Sequence, residues 1–257
     1  MLLLIAACQS SPADTGPDTA AQGLPEPEAV WTAAQTQDAL TSALSAPLPG
    51  IDRATGDYLG LMARGDSICP GDPVAIKDGA VYGCDANTGM YYAGVSEYWD
   101  EQRDDAWFRS LAGDFLIQTP EGQSFEWGMG YEISWGPESA SMRWLGSLFW
   151  DGDPASAERM SVVLAASVSG DAGTLNGGIT QGETVLDFDL ETAADCPAQG
   201  LLAIRGPDKR WYRTTLGCDG CGPLSFEGQE LGEVCVDPSP LVRALHDPLA
   251  SPDWEGL

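Results

Sequence analysis

Basic residues are scarce in this chain, and their scarcity excludes whole classes of partner. The 257 residues include 12 Lys and Arg against 39 Asp and Glu, which gives a formal net charge of -27 at pH 7. Binding to nucleic acid requires a basic surface that neutralises phosphates, so we expect no nucleic-acid partner. An anionic membrane surface is excluded as an electrostatic partner for the same reason.

Histidine is nearly absent, and this limits the available catalytic chemistry. The single histidine is His246, near the C-terminus, and no Gly-x-Ser-x-Gly nucleophile motif accompanies it. A Ser-His-Asp hydrolase needs an imidazole base, and a catalytic zinc site built on histidines needs more than one. We therefore expect a protein that is not an enzyme and that holds no cofactor or metal. Because carboxylates are abundant, a secreted hydrolase that uses a carboxylate pair stays open as an alternative.

The apolar run at the N-terminus, Leu2 to Ala7, is too short to span a bilayer, and Cys8 follows it. The residues Ile5-Ala6-Ala7-Cys8 resemble the lipobox of bacterial lipoproteins. In that family the cysteine is diacylated and the peptide before it is removed. The resemblance implies a signal remnant over residues 1–8 and a membrane anchor at Cys8. Since no Asp follows Cys8 directly, it also implies an outer-membrane lipoprotein of the cell envelope, facing the periplasm or the cell surface.

Residues 9–28 contain almost nothing that a folded core could bury. Their sequence is QSSPADTGPDTAAQGLPEPE, and Pro, Ser, Thr, Asp, Ala and Gly dominate it. A stretch of this composition stays disordered. It predicts a flexible tether between a lipid anchor and a folded domain.

The chain has a single Cys-x-x-Cys pair, Cys218 and Cys221, although six cysteines follow Cys8. A zinc ribbon needs two such pairs, and a thioredoxin-like redox pair needs a helix after it, where this chain has a strand pattern. Export favours disulfides. The alternative left open is a zinc-stabilised structural protein in a reducing compartment, with the metal on Cys196, Cys218, Cys221 and Cys235.

The hairpin geometry predicts which cysteines pair. In an antiparallel hairpin the residue numbers of facing residues have a constant sum. A turn at 206–209 places Cys196 nearly opposite Cys218, and a turn at 227–230 places Cys221 nearly opposite Cys235. Facing residues have the Cα separation that a disulfide needs. We predict the disulfides Cys196–Cys218 and Cys221–Cys235, which leaves Cys69–Cys84.

The pattern of apolar residues divides the rest of the chain into a helical module and a β domain. Helical spacing predicts helices near 31–45 and 52–64, within a module that spans 29–65. From residue 66 the period changes to two. The segment SFEWGMGYEISW is the clearest case, and its two glycines indicate a bend near the middle of the strand. The face predicted to be buried consists of Phe125, Trp127, Met129, Tyr131, Ile133 and Trp135.

Further alternating segments complete the predicted β domain over 66–247. They cover 88–98, 108–118, 141–150, 160–169, 173–180, 184–191, 200–205, 210–217 and 223–227. Strands without intervening helices predict a mainly β fold with one large antiparallel sheet, as a sandwich or a partly closed barrel. A short helix at 239–245 and a loose tail at 248–257 end the chain. The whole pattern is similar to uncharacterised secreted β-rich lipoproteins of Gram-negative bacteria.

Two features could form a ligand-binding face. Trp144 and Trp150 lie in MRWLGSLFW, where both faces of the strand carry large apolar groups. Arg205, Arg210 and Arg213 lie in one hairpin of an otherwise acidic chain, where they either pair with neighbouring acids or contact an anion. Seven tryptophans in or beside strands are candidates for a carbohydrate-binding face, although we expect most of them to fill the core. These tryptophans are Trp99, Trp107, Trp127, Trp135, Trp144, Trp150 and Trp211.

These expectations combine into one hypothesis. The chain is a lipid-anchored cell-envelope protein that is not an enzyme, and its disulfide-stapled β domain binds a protein or a glycan.

Overall fold

A computed structural model of the chain describes residues 28–46, 51–70, 80–152 and 159–250. Cys8, the predicted tether up to residue 27 and residues 251–257 of the predicted tail lie outside the described residues. None of the described helices is long and apolar enough to cross a membrane.

Three helices flank the β region of the chain. They are α1 (Ala33–Ser45), α2 (Ile51–Met62) and α3 (Ser239–Ala250). A capping box begins α1, because the Thr32 hydroxyl accepts from the Gln35 backbone N–H while the Gln35 side chain accepts from the Thr32 backbone N–H. The two N-terminal helices end within two residues of the predicted bounds.

Twelve strands form one open antiparallel sheet, in which every strand pairs with its neighbours in chain order. The mainly β fold class is confirmed, and the strands form one sheet rather than the two packed sheets of a sandwich. The strands at Ala80–Asp85 and Gln229–Cys235 were not among the predicted segments. The strands are β1 (Ala80–Asp85), β2 (Tyr91–Arg103), β3 (Ala106–Gln118), β4 (Ser124–Trp135), β5 (Ser139–Trp150), β6 (Met160–Ser169), β7 (Ala172–Gln181), β8 (Thr184–Ala193), β9 (Cys196–Arg205), β10 (Trp211–Leu216), β11 (Cys221–Phe226) and β12 (Gln229–Cys235).

The inner face of the sheet packs against the helices and forms one core with them. Helix α2 lies over the first strands, where the Tyr58 hydroxyl donates to Ser96 Oγ at 3.0 Å and the Tyr92 hydroxyl donates to the Leu61 carbonyl at 2.7 Å. Helix α3 contacts β5, β6 and β9, and α1 contacts β12. The N-terminal helices are therefore part of the same hydrophobic core as the sheet.

A line of positive φ angles crosses the middle of the sheet and bends it. Gly113, Met129 and Gly146 face one another across β3, β4 and β5, with φ angles of 135°, 76° and 138°. A Cβ atom at Gly113 would clash with the Val95 carbonyl oxygen. Glycine is the residue that such kinks normally use. Met129 is the exception, and the kink turns it outward to 58% exposure. The prediction that Met129 shares the buried face of β4 is wrong for this reason.

Disulfides join Cys69 to Cys84, Cys196 to Cys218 and Cys221 to Cys235. These are the same three pairs that the sequence predicts. Cys221 and Cys235 face each other directly in the register of β11 and β12. A zinc site on the four C-terminal cysteines and a Cys218–Cys221 redox pair are both excluded, because each thiol has another partner.

Helix α3 is longer than predicted. It continues past residue 245 to Ala250 and includes Pro248, so the start of the predicted loose tail is helical. Leu241, Leu245 and Leu249 recur every four residues and are all buried. Packing of this apolar face outweighs the local cost of a proline. His246 accordingly lies in a helix, half-buried, with Nε2 3.4 Å from the Thr174 carbonyl oxygen.

Candidate functional site

The predicted ligand face does not exist as one surface. Trp144 and Trp150 point into the core, with 3% and 9% exposure, and Trp144 stacks on Trp127 with ring centroids 6.0 Å apart. Because both faces of β5 carry apolar residues, the sequence alone did not show which face is buried. In the structure both tryptophans lie on the inner face of the sheet, which packs against the helices, so neither is available to a ligand.

The arginine hairpin lies elsewhere, on the exposed surface of β9 and β10. Arg205 donates from Nε to the Lys209 carbonyl at 2.9 Å, and its guanidinium lies 5.8 Å from the Trp211 ring centroid. Arg210 and Arg213 are also exposed. Among the residues that the structure describes, none of the three arginines forms an ion pair. The hairpin therefore forms a basic surface away from Trp144 and Trp150.

A cleft of about 720 Å³ opens at one end of the sheet. Three hairpin turns meet there, those of β2–β3, β4–β5 and β6–β7, beside the last turn of α3. Clefts of this size are typical of small-ligand sites. Its walls combine indoles, carboxylates and small or apolar side chains. The lining residues are Gln102, Asp105, Ala106, Trp107, Trp135, Gly136, Pro137, Glu138, Ser139, Ala140, Val168, Gly170 and Leu249.

Two tryptophans form the aromatic part of the cleft. Trp107 and Trp135 face each other directly in the register of β3 and β4. The Trp135 indole N–H donates to the Pro248 carbonyl at 3.1 Å, and the Trp107 indole N–H donates to Asp100 Oδ1. Both indoles are held by hydrogen bonds to protein groups. Trp135 is only 7% exposed and belongs to the core, so Trp107, which is partly exposed, is the main aromatic side chain at the cleft.

A buried ion pair lies behind the two tryptophans. Arg109 Nη2 is 3.1 Å from Asp100 Oδ2, and the two side chains are only 13% and 8% exposed. The Arg109 guanidinium also lies 5.5 Å from the Trp135 ring centroid, so it packs against that indole as a cation–π contact. Asp100 thus orients Trp107 and Arg109 supports Trp135, which makes the pair a positioning element for the cleft.

Further polar groups surround this ion pair. Asp52 of α2 lies 3.4 Å from Arg109 Nη1, and burial raises the pKa of Asp52 although Arg109 opposes the shift. The Tyr98 hydroxyl donates to Asp100 Oδ2 at 3.2 Å, and burial raises the pKa of Tyr98 to about 12. Asp52 and Asp100 therefore share one guanidinium. They neutralise Arg109 and do not form the free acid and base that a carboxylate-pair hydrolase uses.

The rim of the cleft carries acidic side chains on two different turns. Asp105 lies in the β2–β3 turn, which Asp104 tightens with a φ of 53°, and Glu138 lies in the β4–β5 turn. Both residues are exposed. The described lining residues include no Lys, Arg or His. The cleft therefore presents negative charge beside the partly exposed Trp107 ring.

The residues of this site share a sequence pattern that sequence analysis did not recognise. Asp105 precedes Trp107 by two residues, and Glu138 follows Trp135 by three. In a meander, alternate turns lie at the same end of the sheet, so the β2–β3 and β4–β5 turns must be neighbours. An acidic turn beside a strand-terminal tryptophan, repeated two strands later, is the pattern that sequence analysis missed.

Two other concave surfaces have smaller volumes. A depression of about 500 Å³ lies beside Cys218 and Cys235, and another of about 440 Å³ lies on the outer face over Gly128. Within the described ranges, no group of three or more His, Cys, Asp and Glu side chains could hold a metal ion. The cleft with Trp107 and Trp135 is the best candidate for a ligand site.

Comparison of the chain with known protein families, curated proteins and solved structures found no match, so the site is interpreted from its own chemistry.

Proposed function

We propose that the chain is a lipid-anchored protein of the bacterial cell envelope that binds a protein or glycan ligand and catalyses no reaction. Its ligand site is the cleft with Trp107 and Trp135. The observation that supports this most strongly is the cleft itself, in which three hairpin turns place the partly exposed Trp107 ring beside polar rim residues. An aromatic surface with a few convergent polar groups is typical of binding sites.

Support for the envelope location comes from two parts of the chain. Three disulfides join the described cysteines, and such bonds persist in oxidising compartments. The residues Ile5-Ala6-Ala7-Cys8 resemble a lipobox, and residues 9–28 have the composition of a tether. A diacylated Cys8 would give stable anchoring to the membrane.

The anchor is tested by palmitate labelling of the full chain in a Gram-negative host. The wild-type protein should incorporate labelled palmitate and fractionate with membranes. Cys8→Ser should lose the label and the membrane association together, and Ser10→Ala, two residues away, should keep both. A Cys8→Ser variant that stays labelled would contradict the proposed anchor.

The binding site is tested by two kinds of substitution in the cleft. Trp107→Ala removes an indole, and Ser139→Trp fills the cleft from the exposed rim without altering the core. Both variants should lose binding to envelope glycan fragments or to the partner protein, while Trp211→Ala, at the far end of the sheet, should keep it. Retained binding in Ser139→Trp would place the ligand outside the cleft. Circular dichroism of each variant verifies that the fold is intact.

A carboxylate-pair hydrolase is the second candidate, because Asp105 and Glu138 line the same cleft. Assays of the wild-type chain with chromogenic glycosides distinguish the two functions. Turnover that Glu138→Gln abolishes and Glu230→Gln leaves intact would favour the hydrolase over a binding protein.

A further inference from the structure

We propose that the β9–β10 hairpin is a second interaction surface, which binds the anionic lipid headgroups of the membrane that holds the chain. Its basic residues are Arg205, Lys209, Arg210 and Arg213. The inference rests on the proposed lipid anchor at Cys8, since the anchor brings the hairpin to the membrane. It adds the surface that faces the lipid and therefore the orientation of the domain.

Positive charge is concentrated in this hairpin. Four of the 12 basic residues lie between positions 205 and 213, together with a single acid, Asp208. The four basic side chains are exposed, and among the residues that the structure describes none of them forms an ion pair. Asp208 accepts from the Arg210 backbone N–H at 3.2 Å. The guanidinium groups therefore face solvent, and phosphate is a ligand that arginine binds through two parallel hydrogen bonds.

The hairpin holds these charges in a fixed arrangement on the outer face of the sheet. Arg205 Nε donates to the Lys209 carbonyl at 2.9 Å, which ties the end of β9 to the turn. Arg205 faces Trp211 in the register of the two strands, and alternation along β10 places Arg213 on the same face. Trp211 is half-buried, and tryptophan is a side chain enriched where an apolar phase meets water. Arginines beside an indole are therefore suited to a lipid headgroup layer.

The N-terminal end of the described chain lies beside the same hairpin. The backbone N–H groups of Val30 and Trp31 donate to the Tyr212 hydroxyl at 2.8 and 3.0 Å, and Tyr212 directly precedes Arg213 in β10. Cys8 precedes Val30 by 22 positions, and a tether of that length spans on the order of 25 Å. An anchor at Cys8 thus holds the basic end of the sheet close to the membrane.

The acidity of the whole chain makes this contact dependent on the anchor. A net charge of -27 opposes the approach of the chain to an anionic surface at long range. Physiological salt screens that repulsion over about 8 Å, whereas each basic side chain at the surface strengthens the contact about fivefold. A short tether also supplies a local concentration in the millimolar range. The hairpin therefore contacts lipid once the chain is anchored, and does not recruit the chain from solution.

The contact would orient the ligand cleft away from the membrane. Alternate turns of the meander lie at the same end of the sheet, so the β9–β10 turn lies at the end opposite to the β2–β3, β4–β5 and β6–β7 turns that form the cleft. With the basic hairpin on the lipid, the cleft points outward and stays open to a ligand.

The test supplies the anchor chemically, so that it does not depend on acylation in a cell. The three disulfides use the other six cysteines, so a maleimide lipid attaches the full chain to lipid nanodiscs through Cys8. The nanodiscs consist of phosphatidylcholine alone or of an equimolar mixture with phosphatidylglycerol, and a few headgroups carry Gd³⁺ or diamagnetic Lu³⁺. Relaxation of the indole N–H signals, assigned through Trp211→Phe and Trp107→Phe, measures which end of the domain contacts the lipid.

On nanodiscs with phosphatidylglycerol, Gd³⁺ should relax the Trp211 signal strongly and the Trp107 signal weakly. On phosphatidylcholine alone, the contact should be at least tenfold weaker. Arg210→Gln together with Arg213→Gln should weaken the contact about twentyfold. Arg143→Gln, an exposed arginine of β5, should leave it unchanged.

Acidic residues in the adjacent turns should have the opposite effect. Glu183 in the β7–β8 turn and Glu227 in the β11–β12 turn are exposed at the same end of the sheet as the hairpin. Glu183→Gln and Glu227→Gln each remove a charge that the anionic lipid repels, so each should strengthen the contact. Circular dichroism of every variant verifies that the fold is intact.

Three results would overturn the inference. They are equal relaxation of Trp211 and Trp107 by Gd³⁺, equal contact on nanodiscs with and without phosphatidylglycerol, and unchanged contact in the joint variant of Arg210 and Arg213. The proposed anchor is judged separately by palmitate labelling. If the wild-type chain takes up no palmitate in the cell while the chemically anchored chain contacts anionic lipid, the anchor is wrong and the affinity of the hairpin stands.

Discussion

Trp107 and Trp135 face each other across β3 and β4, and each donates its indole N–H to a protein acceptor. Facing aromatic residues on one sheet face usually fill a core. Here the pair lies at the end of the sheet, where three turns leave a cleft of about 720 Å³ open beside it. Trp135 keeps the core role with 7% exposure, while Trp107 is partly exposed at the mouth of the cleft.

The buried ion pair behind the cleft should matter strongly for stability. Arg109→Ala leaves Asp100 buried without its cation, so we expect the free energy of unfolding to fall by about 3 kcal/mol, as for other broken buried pairs. The joint variant Arg109→Leu with Asp100→Asn should recover much of that loss. Urea denaturation measures both.

The control for this prediction is the exposed pair of Arg64 and Glu121, 3.1 Å apart. Glu121→Gln should leave the free energy of unfolding almost unchanged, because exposed ion pairs contribute little. A similar loss in Glu121→Gln and Arg109→Ala would show that burial of the Arg109 pair has no special weight.

Met129 should tolerate replacement by glycine better than a strand residue normally does. Its φ of 76° lies in the left-handed region, and glycine removes a strain of about 1 to 2 kcal/mol there. The greater flexibility of glycine in the unfolded chain costs about 1 kcal/mol. We expect Met129→Gly to change the free energy of unfolding by less than about 1 kcal/mol.

Gly146 provides the matched contrast, because it faces Met129 in the next strand. A Cβ atom at Gly146 would clash with the Gly128 carbonyl, so Gly146→Ala should destabilise by more than about 2 kcal/mol. Thermal unfolding of the two variants gives the comparison. Equal losses would mean that the positive φ angles do not set the bend of the sheet.

Each C-terminal disulfide should contribute separately to stability. The Cys221–Cys235 bond closes a loop with a sequence separation of 14, and a loop of this length predicts a contribution of about 3 kcal/mol. The joint variant Cys221→Ala with Cys235→Ala should lose about that amount, while peptide mapping without reduction should still recover the Cys196–Cys218 link. Recovery of a peptide that links Cys218 to Cys221 in the wild-type protein would contradict the pairing.

His246 should make stability depend on pH near neutrality. Burial lowers the pKa of His246 below its ordinary value of 6.5, so the unfolded chain binds a proton more readily than the folded one. The contribution is complete above pH 6.5 and is lost as the pH falls below that value toward the folded-state pKa. His246→Gln should remove this step from the pH profile of the melting temperature.

Asp66 should produce a second loss of stability at lower pH than the one that depends on His246. Backbone N–H groups of Asn87, Ile68 and Cys69 lower the pKa of Asp66 to about 2 from 3.8. Its contribution is present above pH 3.8 and is lost as the pH falls toward 2. This step should survive in His246→Gln, and its disappearance there would show that the two groups titrate together.

Local pattern was sufficient to predict most of the sheet. Strict alternation over β4 and β8 needs no tertiary information, and the constant sum of hairpin residue numbers led to the cysteine pairs. The burial of Met129 was predicted wrongly, because alternation assumes extended φ angles on every residue. The length of α3 was also predicted wrongly, since its extension through Pro248 depends on burial of Leu249 in the core.

Local sequence pattern could not predict the candidate site, for a different reason. Asp105 and Glu138 are 33 positions apart and become neighbours only because alternate turns of a meander share one end of the sheet. Sequence analysis grouped Trp107 with six other tryptophans and could not separate an indole at the mouth of a cleft from one in the core. Strand order and the length of each strand decide that difference.

Binding of envelope glycan fragments to the full-length protein and to its Ser139→Trp variant tests the proposed site most directly. We expect the wild-type protein to bind, and Ser139→Trp to lose binding while its circular dichroism spectrum shows an intact fold. Undiminished binding by Ser139→Trp would contradict the assignment of the cleft as the ligand site.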